Sequence, residues 1–587
     1  MNIFQFICVV VLCVAVDVCR SMEWYDNSVI YHIYPRSFKD SNGDGIGDIR
    51  GIIEELDYLK ELGVDAAWLS PTFKSPMADF GYDIENYYEI DPVFGTMKDM
   101  EDLFREAKKR NLKIILDFVP NHTSEKCDWF KKSVKREGKY TDYYIWADGK
   151  NNNTEPPNNW VSRFYGHAWK FNKERNQWYY HVFAKEQPDL NLRNPLVIKE
   201  LTDVLEFWMK KGANGFRMDA VDRWYESEHL LDEPLSKLTN DSNLYDYTVH
   251  IYTRYLPEVY DLLYKFRDVA EEFEKKMKSE KVLLMTEALV KEHDFPKLYG
   301  NSNRKGAQMP INFLLLRHMD RDSSAHHVKK IIDDKIASTP VGARINWHMN
   351  NHDNPRSGST YGERRLDSFI ALLLTLPGNV VTYYGEEIGM SDDRTIPYSE
   401  TLDPLVTLFD PTQNWIARSR DAARTPMQWD GSKRFAGFMP TNGSSKPWLP
   451  VNKNYKKLNV VRQRKLVRST LNFYKKLVQL RKRPAFASGT FTSIVINDSV
   501  FAYVRELPGQ DTYWVLINFD ENEEQIDMSR KRELGKNMPK LFKLVAVNPD
   551  SQYTKGQIVK ADEIVIRKYD AIILKSADKK VNQERGM

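Results

Sequence analysis

Three short segments of this 587-residue chain carry acidic side chains whose types and positions could do chemistry. The acids are Asp219, Glu287 and Asp353. The first two end apolar stretches that predict buried strands, and the third closely follows another predicted strand. A pair of carboxyl groups, one ionised and one protonated, is what a retaining glycosidase needs to cleave a glycosidic bond. These segments therefore indicate sugar-cleaving chemistry.

Arg217 precedes Asp219 by two positions, so both side chains are expected on the same face of one strand. A guanidinium in that position can hold Asp219 ionised. Glu287 would need a raised pKa to act as an acid, and neighbouring carboxylates would raise it.

The elements that must position these acids alternate between strand and helix patterns, which predicts an α/β fold. Predicted strands cover 29–34, 66–71, 113–119, 215–220, 281–288, 344–349 and 379–384, with a weaker candidate at 311–315. Eight parallel strands form a (β/α)8 TIM barrel, in which functional residues gather at the carboxyl ends of the strands.

Changes in pattern divide the chain into four parts. The apolar start predicts a signal peptide over 1–21, with a retained signal anchor as the alternative. The catalytic barrel would occupy 22–121 and 191–483. It is interrupted at 122–190 by a stretch too long for an ordinary loop, which predicts an inserted domain. Consecutive strands predict a C-terminal antiparallel β-sandwich over 484–587.

Composition excludes several classes of protein. The net charge of +3, from 85 basic and 82 acidic residues, argues against a nucleic-acid or membrane-surface protein.

Three of the four cysteines lie in or beside the signal segment, leaving Cys127. Cleavage after Ser21 would leave no internal disulfide, and cleavage after Ala15 would leave a Cys19–Cys127 bridge possible. The polar C-terminus predicts no lipid anchor, so we expect a secreted, extracellular protein.

Five Asn-X-Ser/Thr sequons accompany the predicted export. Asn121 lies in a candidate site segment and is expected to be unmodified. The other candidate glycosylation sites are Asn152, Asn240, Asn442 and Asn497.

Together the motifs resemble the α-amylase superfamily, glycoside hydrolase family 13. Within it they are most similar to the α-glucosidase and oligo-1,6-glucosidase branch, and especially to secreted insect maltases. The resemblance runs from about residue 28 to 480. The matching segments are Asp117–His122, Gln187–Asn191, Gly215–Ala220, Glu287, Asn351–Asp353, Tyr383–Gly389 and Arg420–Pro426.

The resemblance implies a role for each acid. Asp219 would be the nucleophile, Glu287 the general acid/base, and Asp353 would stabilise the transition state. The implied substrate-binding residues are Asp79, Tyr82, His122, Phe164, Arg217, His352 and Arg424. Tyr82 would stack on the terminal glucose, and Asp79 with Arg424 would hold its 4-hydroxyl, which makes the site a pocket that removes single glucoses.

The segment 40–48 places oxygen-bearing side chains at alternate positions, with glycines that permit a tight turn, as calcium loops do. It lacks the bidentate Glu of an EF-hand, because Gly51 occupies that position. Relatives carry a structural Ca²⁺ here. By resemblance the ligands would be Asp40, Asn42, Asp44, the Ile46 carbonyl and Asp48.

Ala220 follows the nucleophile. In relatives Val at this position accompanies cleavage of α-1,6 linkages, whereas Ala or Thr accompanies cleavage of α-1,4 linkages. We therefore expect an exo-acting retaining α-glucosidase for maltose and sucrose, without a membrane anchor, as a monomer or homodimer. The residues at 288–290 and Arg163–His167 differ from those common in relatives, which leaves the aglycone preference open. The alternatives are a sucrose isomerase or transglucosylase, and a non-catalytic surface binding protein of the same fold.

Overall fold

The structure is a computed structural model that describes residues 22–407, 415–441, 445–535 and 538–578. The predicted signal segment 1–21, with Cys19, and the sequon at Asn442 lie outside these ranges. Within them, no helix combines the length and apolar character needed to cross a membrane.

Eight parallel strands form the central barrel, which confirms the predicted fold class. They are β1 (Val29–Ile33), β2 (Ala66–Leu69), β3 (Lys113–Phe118), β4 (Gly215–Met218), β5 (Leu283–Thr286), β6 (Met309–Pro310), β7 (Asn346–Trp347) and β8 (Asn379–Tyr383). Strands β1 to β6 pair in sequence order, and β8 pairs with both β1 and β7. β6 and β7 are the two edges of this ladder and do not pair with each other.

Side chains join β6 to β7 where the ladder is missing. The Asn346 amide Nδ2 donates to the Pro310 carbonyl at 2.5 Å. The Asn312 backbone N–H and Nδ2 donate to the Asn346 Oδ1 and carbonyl, at 2.9 and 3.1 Å. Asn346 is fully buried, so these bonds close the barrel wall without solvent.

The sequence misplaced the sixth strand. The candidate at 311–315 was wrong, because β6 ends at Pro310 and a helix begins at Leu314. An apolar run such as the one from Ile311 to Leu316 suits either a strand or a helix, and periodicity does not separate them.

Helices surround the barrel and supply its outer layer. The longest, Pro195–Lys211 and Glu258–Met277, contact each other. At the start of the first, the Asn194 side chain accepts from the Leu196 N–H at 2.9 Å, and Gly212 ends the helix with φ 122°. The remaining helices of six or more residues are Ile49–Glu54, Leu56–Leu62, Met97–Lys109, Asp128–Val134, Ala325–Ser338, Leu366–Thr375, Val460–Lys465 and Thr470–Arg481.

Four further sheets lie outside the barrel among the described residues, and one of them pairs Phe73–Lys74 with Asn86–Ile90 in the connection after β2. A three-stranded antiparallel sheet, Trp146–Ala147, Trp169–Asn172 and Gln177–Tyr180, lies within the segment predicted as an inserted domain. At the C-terminus a six-stranded antiparallel sheet packs over its own core with a two-stranded sheet. Its strands are Thr490–Val495, Val500–Glu506, Tyr513–Asn518, Leu541–Val547, Ile558–Lys560 and Ala571–Ser576, with Glu524–Ile526 and Ile564–Ile566 forming the smaller sheet.

Candidate active site

Strand register brings Asp219 and Glu287 side by side. β4 and β5 pair with Met218 opposite Thr286, and each acid is the next residue along its strand. The backbone N–H of Glu287 donates to the Met218 carbonyl at 2.9 Å, which continues the ladder to the acids themselves. Both acids therefore stand at the carboxyl-terminal rim of the barrel.

One guanidinium binds both of these acids. Arg217 Nη1 donates to Asp219 Oδ1 at 2.6 Å and to Asp117 Oδ1 at 2.8 Å, and Nη2 donates to Glu287 Oε2 at 2.5 Å. Arg217 is buried beneath the acids that it binds, and we refer to this arrangement as the Arg217 clamp. Two carboxyls on adjacent nitrogens of one planar group suit the separation of about 5–5.5 Å that a retaining glycosidase uses.

Ala220 holds an unusual backbone conformation directly after Asp219. Its φ of 47° and ψ of 40° lie in the left-handed region, which costs a residue with a Cβ about 1–2 kcal/mol. This turn points the Ala220 N–H at Glu287 Oε2, 3.3 Å away, and the Val221 N–H donates to the Glu287 carbonyl at 2.9 Å. Strain of this kind is found where a surrounding site fixes the backbone.

Asp219 and Glu287 both have pKa values raised into the neutral range. Burial raises the pKa of each to about 7, against the opposing charge of Arg217. The Asp219 carboxylate raises the pKa of Glu287 further, and Asp117 and Asp353 raise that of Asp219. Near neutral pH the pair can hold a single proton, which is the state with one nucleophile and one acid.

Asp353 belongs to a second charge network. It accepts from Arg424 Nη2 at 2.8 Å and from Arg420 Nη1 at 3.2 Å. Burial alone would raise its pKa, but His352, Arg420 and Arg424 hold the pKa of Asp353 well below its usual range. Because burial lowers the pKa of His352 itself to about 3, the two arginines carry the effect and Asp353 stays ionised.

Arg420, which the sequence analysis did not single out, is the direct partner of Asp79. Its Nη2 donates to Asp79 at 2.9 Å and to Asp403 at 2.7 Å. Arg424, the residue expected to act with Asp79, donates instead through Nε to the His352 carbonyl at 2.7 Å. The two arginines occur four residues apart in one motif, and the fold alone decides which of them faces the cavity.

Tyr82 connects the acids bound to Arg217 with the charge network of Asp353. Its hydroxyl lies 2.7 Å from His352 Nε2 and donates to Asp117 at 3.1 Å. Its ring is parallel to that of His352, with centroids 5.3 Å apart. The loop that carries Tyr82 and Asp79 is held by Asp83, which accepts from the Asp79 N–H at 2.9 Å and from Ser75 Oγ at 3.0 Å.

The remaining predicted residues complete the wall. His122 Nε2 lies 3.0 Å from Gln187 Nε2, and burial lowers the His122 pKa to about 3, so the ring is neutral. Phe164 packs edge-on against Phe183, with ring centroids 6.2 Å apart. The sequence had singled out neither Gln187 nor Phe183 individually, although Gln187 lies in a quoted motif.

These side chains enclose a cavity of about 550 Å³. Eight predicted residues line it: Asp79, Tyr82, His122, Phe164, Asp219, Glu287, His352 and Asp353. Arg217 and Arg424 are buried behind that lining and bind its acids. The cavity therefore combines carboxylates and aromatic rings, which suits a polar ligand with apolar faces.

The candidate calcium loop is well ordered by its own backbone. Asp40 accepts from three N–H groups of the loop, and Asp48 caps the helix Ile49–Glu54 through the Gly51 N–H at 2.7 Å. Burial raises the pKa of Asp40, and Asp44 and Asp48 raise it further. The oxygen-only donor types fit Ca²⁺. Among the described residues, however, no three His, Cys, Asp or Glu side chains are grouped as metal ligands.

A parallel barrel that presents two acids on one guanidinium, beside a third acid in a polar pocket, defines a glycosidase. Comparison with known proteins agrees. The sequence profile of the α-amylase catalytic domain matches residues 32–489. The chain belongs to the α-amylase family.

Insect enzymes are among its similar relatives. Maltase A1 of Drosophila melanogaster is 44% identical over 571 residues, covering 94% of this chain and 96% of the relative. Salivary α-glucosidase of Aedes aegypti is 43% identical over 509 residues, covering 85% and 86%. Among solved structures, isomaltulose synthase of Erwinia rhapontici NX5 superposes with a TM-score of 0.81 at 33% identity, covering 95% and 99%.

Proposed function

We propose that this protein is an exo-acting, retaining α-glucosidase. It removes terminal glucose from α-1,4-linked oligosaccharides such as maltose, and from sucrose, through a covalent glucosyl-enzyme. The observation that carries the proposal is the Arg217 clamp, which holds Asp219 and Glu287 together at one rim of the barrel. The names of the insect relatives support the same activity.

The reaction would proceed in two steps at this pair. Glu287 donates its proton to the glycosidic oxygen while Asp219 attacks the anomeric carbon. Glu287, now ionised, takes a proton from water, which displaces Asp219 and restores the α configuration. Asp353, kept ionised by the two arginines, lies where it can hydrogen-bond the sugar that develops positive charge.

Exo action follows from the charged group at the buried end of the cavity. Asp79, Arg420 and Asp403 form consecutive ion pairs, and their side chains are at most 10% exposed. A terminal sugar hydroxyl can bond to these charges, whereas a chain continuing through that point cannot pass. Ala220 supports preference for α-1,4 linkages by resemblance to relatives.

Product analysis tests this function. Maltoheptaose should be shortened one glucose at a time, with α-glucose as the first anomer seen by NMR, while β-cyclodextrin, which has no chain end, should stay intact. Ring opening would overturn exo action, and β-glucose would overturn retention. On sucrose, free glucose supports hydrolysis, whereas new disaccharides would support the transglucosylase alternative.

A structural Ca²⁺ at residues 40–48 is part of the proposal, with ligands Asp40, Asn42, Asp44, the Ile46 carbonyl and Asp48. A cation there would offset the negative charges of Asp44 and Asp48, which, after burial, raise the pKa of Asp40. EDTA should lower the melting temperature, and added Ca²⁺ should restore it. Asp44→Asn should weaken this response, whereas the exposed Asp562→Asn should not; an unchanged response in Asp44→Asn would exclude this loop.

Secretion is proposed from the signal-like segment 1–21 and from the salivary relative. Expression in a eukaryotic secretory host should deliver the protein to the medium with its N-terminus at Met22, or at Val16 if cleavage follows Ala15. Glycan mapping should find Asn121 unmodified, because that side chain is 1% exposed.

A further inference from the structure

Two arginines outside the Asp79–Arg420 pair, Arg163 and Arg223, belong to the cavity wall. Two phenylalanine rings separate them from the glucose-binding end. Arg420 lies over Phe164 at 5.4 Å from the centroid, Phe164 packs on Phe183, and Arg223 lies 5.9 Å from the Phe183 centroid. A glucose bound at Asp79 and Arg420 would therefore direct its aglycone toward the side of the cavity that Arg223 and Phe183 line.

Tyr245 is the platform for both guanidinium groups. Arg163 and Arg223 lie 5.4 and 5.1 Å from its ring centroid, and Arg223 Nη1 donates to its hydroxyl. His250 stacks on the same ring at 3.6 Å. Burial lowers the pKa of His250 to about 4, and Arg223, Arg254 and Arg163 lower it further, so the imidazole adds no charge of its own.

Neither Arg163 nor Arg223 has a carboxylate within ion-pair distance among the described residues. The nearest candidate, Asp222, is already bonded to Arg254 at 2.6 Å and to the Leu289 N–H at 3.1 Å. Asp246 also lines the cavity, but its single negative charge stands against the two positive charges of Arg163 and Arg223. Arg223 is only 7% exposed. Burial lowers the pKa of Arg223, but Tyr245 and Asp222 outweigh that effect and keep the group charged. No carboxylate of the described residues bonds to it directly, so a carboxylate partner is expected to come from outside the chain.

We propose that Arg163 and Arg223 bind a carboxylate on the aglycone, so that the enzyme favours α-glucosides with an acidic aglycone. This inference rests on the α-glucosidase function proposed above, and names its substrate class. Guanidinium forks match carboxylate geometry, and the bonds are strengthened by charge. The bond cleaved is the same glycosidic bond, and the acid leaves with the aglycone.

The test compares two glucosides that differ by one charge: 4-carboxyphenyl and 4-carbamoylphenyl α-D-glucopyranoside. The neutral carbamoyl group withdraws electrons more strongly than the carboxylate, so leaving-group ability favours the neutral substrate. A preference for the acid must therefore come from binding. We expect kcat/KM to be about 10–100-fold higher for the acid, the value of hydrogen bonds to a charged group, and the ratio to fall with added salt.

Variants assign the preference to these residues. Arg163→Gln and Arg223→Gln should each bring the ratio toward one, whereas Arg530→Gln removes the same charge from a remote, 86% exposed position and should leave the ratio unchanged. Inhibition of the unaltered enzyme by 4-hydroxybenzoate should exceed inhibition by 4-hydroxybenzamide. A ratio near one in the unaltered enzyme, or a ratio that survives both substitutions, would overturn the inference. Inability to hydrolyse maltose and both glucosides would instead remove the proposed function.

Discussion

Replacing Glu287 by Gln should remove the general acid while keeping the size and most contacts of the side chain. The structure supplies the magnitude. Burial, opposed by Arg217 and reinforced by Asp219, raises the pKa of Glu287 from 4.5 to about 7. At pH 6 about 90% of Glu287 would then be protonated, against about 3% at the ordinary pKa, so burial multiplies the protonated fraction of this acid roughly 30-fold.

Hydrolysis of maltose should therefore fall as pH rises through about 7, because Glu287 loses its proton on that side. In Glu287→Gln this alkaline fall should vanish, and kcat/KM for maltose at pH 6 should drop by about 10²–10⁴-fold, the range for a lost general acid. α-Glucosyl fluoride, whose leaving group needs no proton, should still form the glucosyl-enzyme. The measurement is kcat/KM against pH for both substrates.

Azide gives an independent check on the same residue. In Glu287→Ala, azide needs no general base and should intercept the intermediate to give α-glucosyl azide. A Glu287→Gln enzyme that loses less than about tenfold on maltose, or that keeps the alkaline fall, would refute the assignment of Glu287 as the acid. Unchanged thermal melting of both variants is the control for folding.

Three further results are expected. Asp219→Asn should lower turnover of maltose roughly 10⁴-fold or more without changing the melting temperature, and Asp219→Ala with azide should give β-glucosyl azide; formation of the α anomer would exclude Asp219 as nucleophile. Arg420→Lys should lower kcat/KM for maltose about 10–100-fold, because it loses the planar fork that binds Asp79 and Asp403, and an unchanged value would contradict the assigned glucose-binding end. Ala220→Val should lower kcat/KM for maltose about tenfold or more, because a β-branched side chain is strained at φ 47°. Ala220→Gly should retain the value of the unaltered enzyme. Equal kcat/KM values for the two variants would show that this turn does not position Glu287.

The sequence was informative wherever function depends on a strand end. Asp219 and Glu287 could be placed because each directly follows a short apolar run, and strand register then makes them neighbours. The alternation of side chains along β4 likewise placed Arg217 on the face of Asp219, and the structure shows that bond.

The sequence was least informative for residues carried by long connections. Arg420 and Arg424 are the same residue type in one motif, and their different roles depend on how the segment folds back over Asp79 and Asp353. Arg223 and Tyr245 approach each other only through the path of the long segment after β4, which has no regular periodicity. No pattern in the sequence specifies such a contact.

The junction between β6 and β7 has a consequence for how activity is lost on heating. Among the described residues, three hydrogen bonds of Asn346 and Asn312 and the edge-on contact of Phe313 with His348 join the barrel wall there, in place of the regular ladder of a strand pair. Opening at this seam would displace the segment that follows β7, which carries His352 and Asp353, while the clamp on β4 and β5 stays assembled. Heat inactivation should therefore precede global melting, and amide hydrogen exchange should be fastest, among the eight strands, on the two sides of this seam.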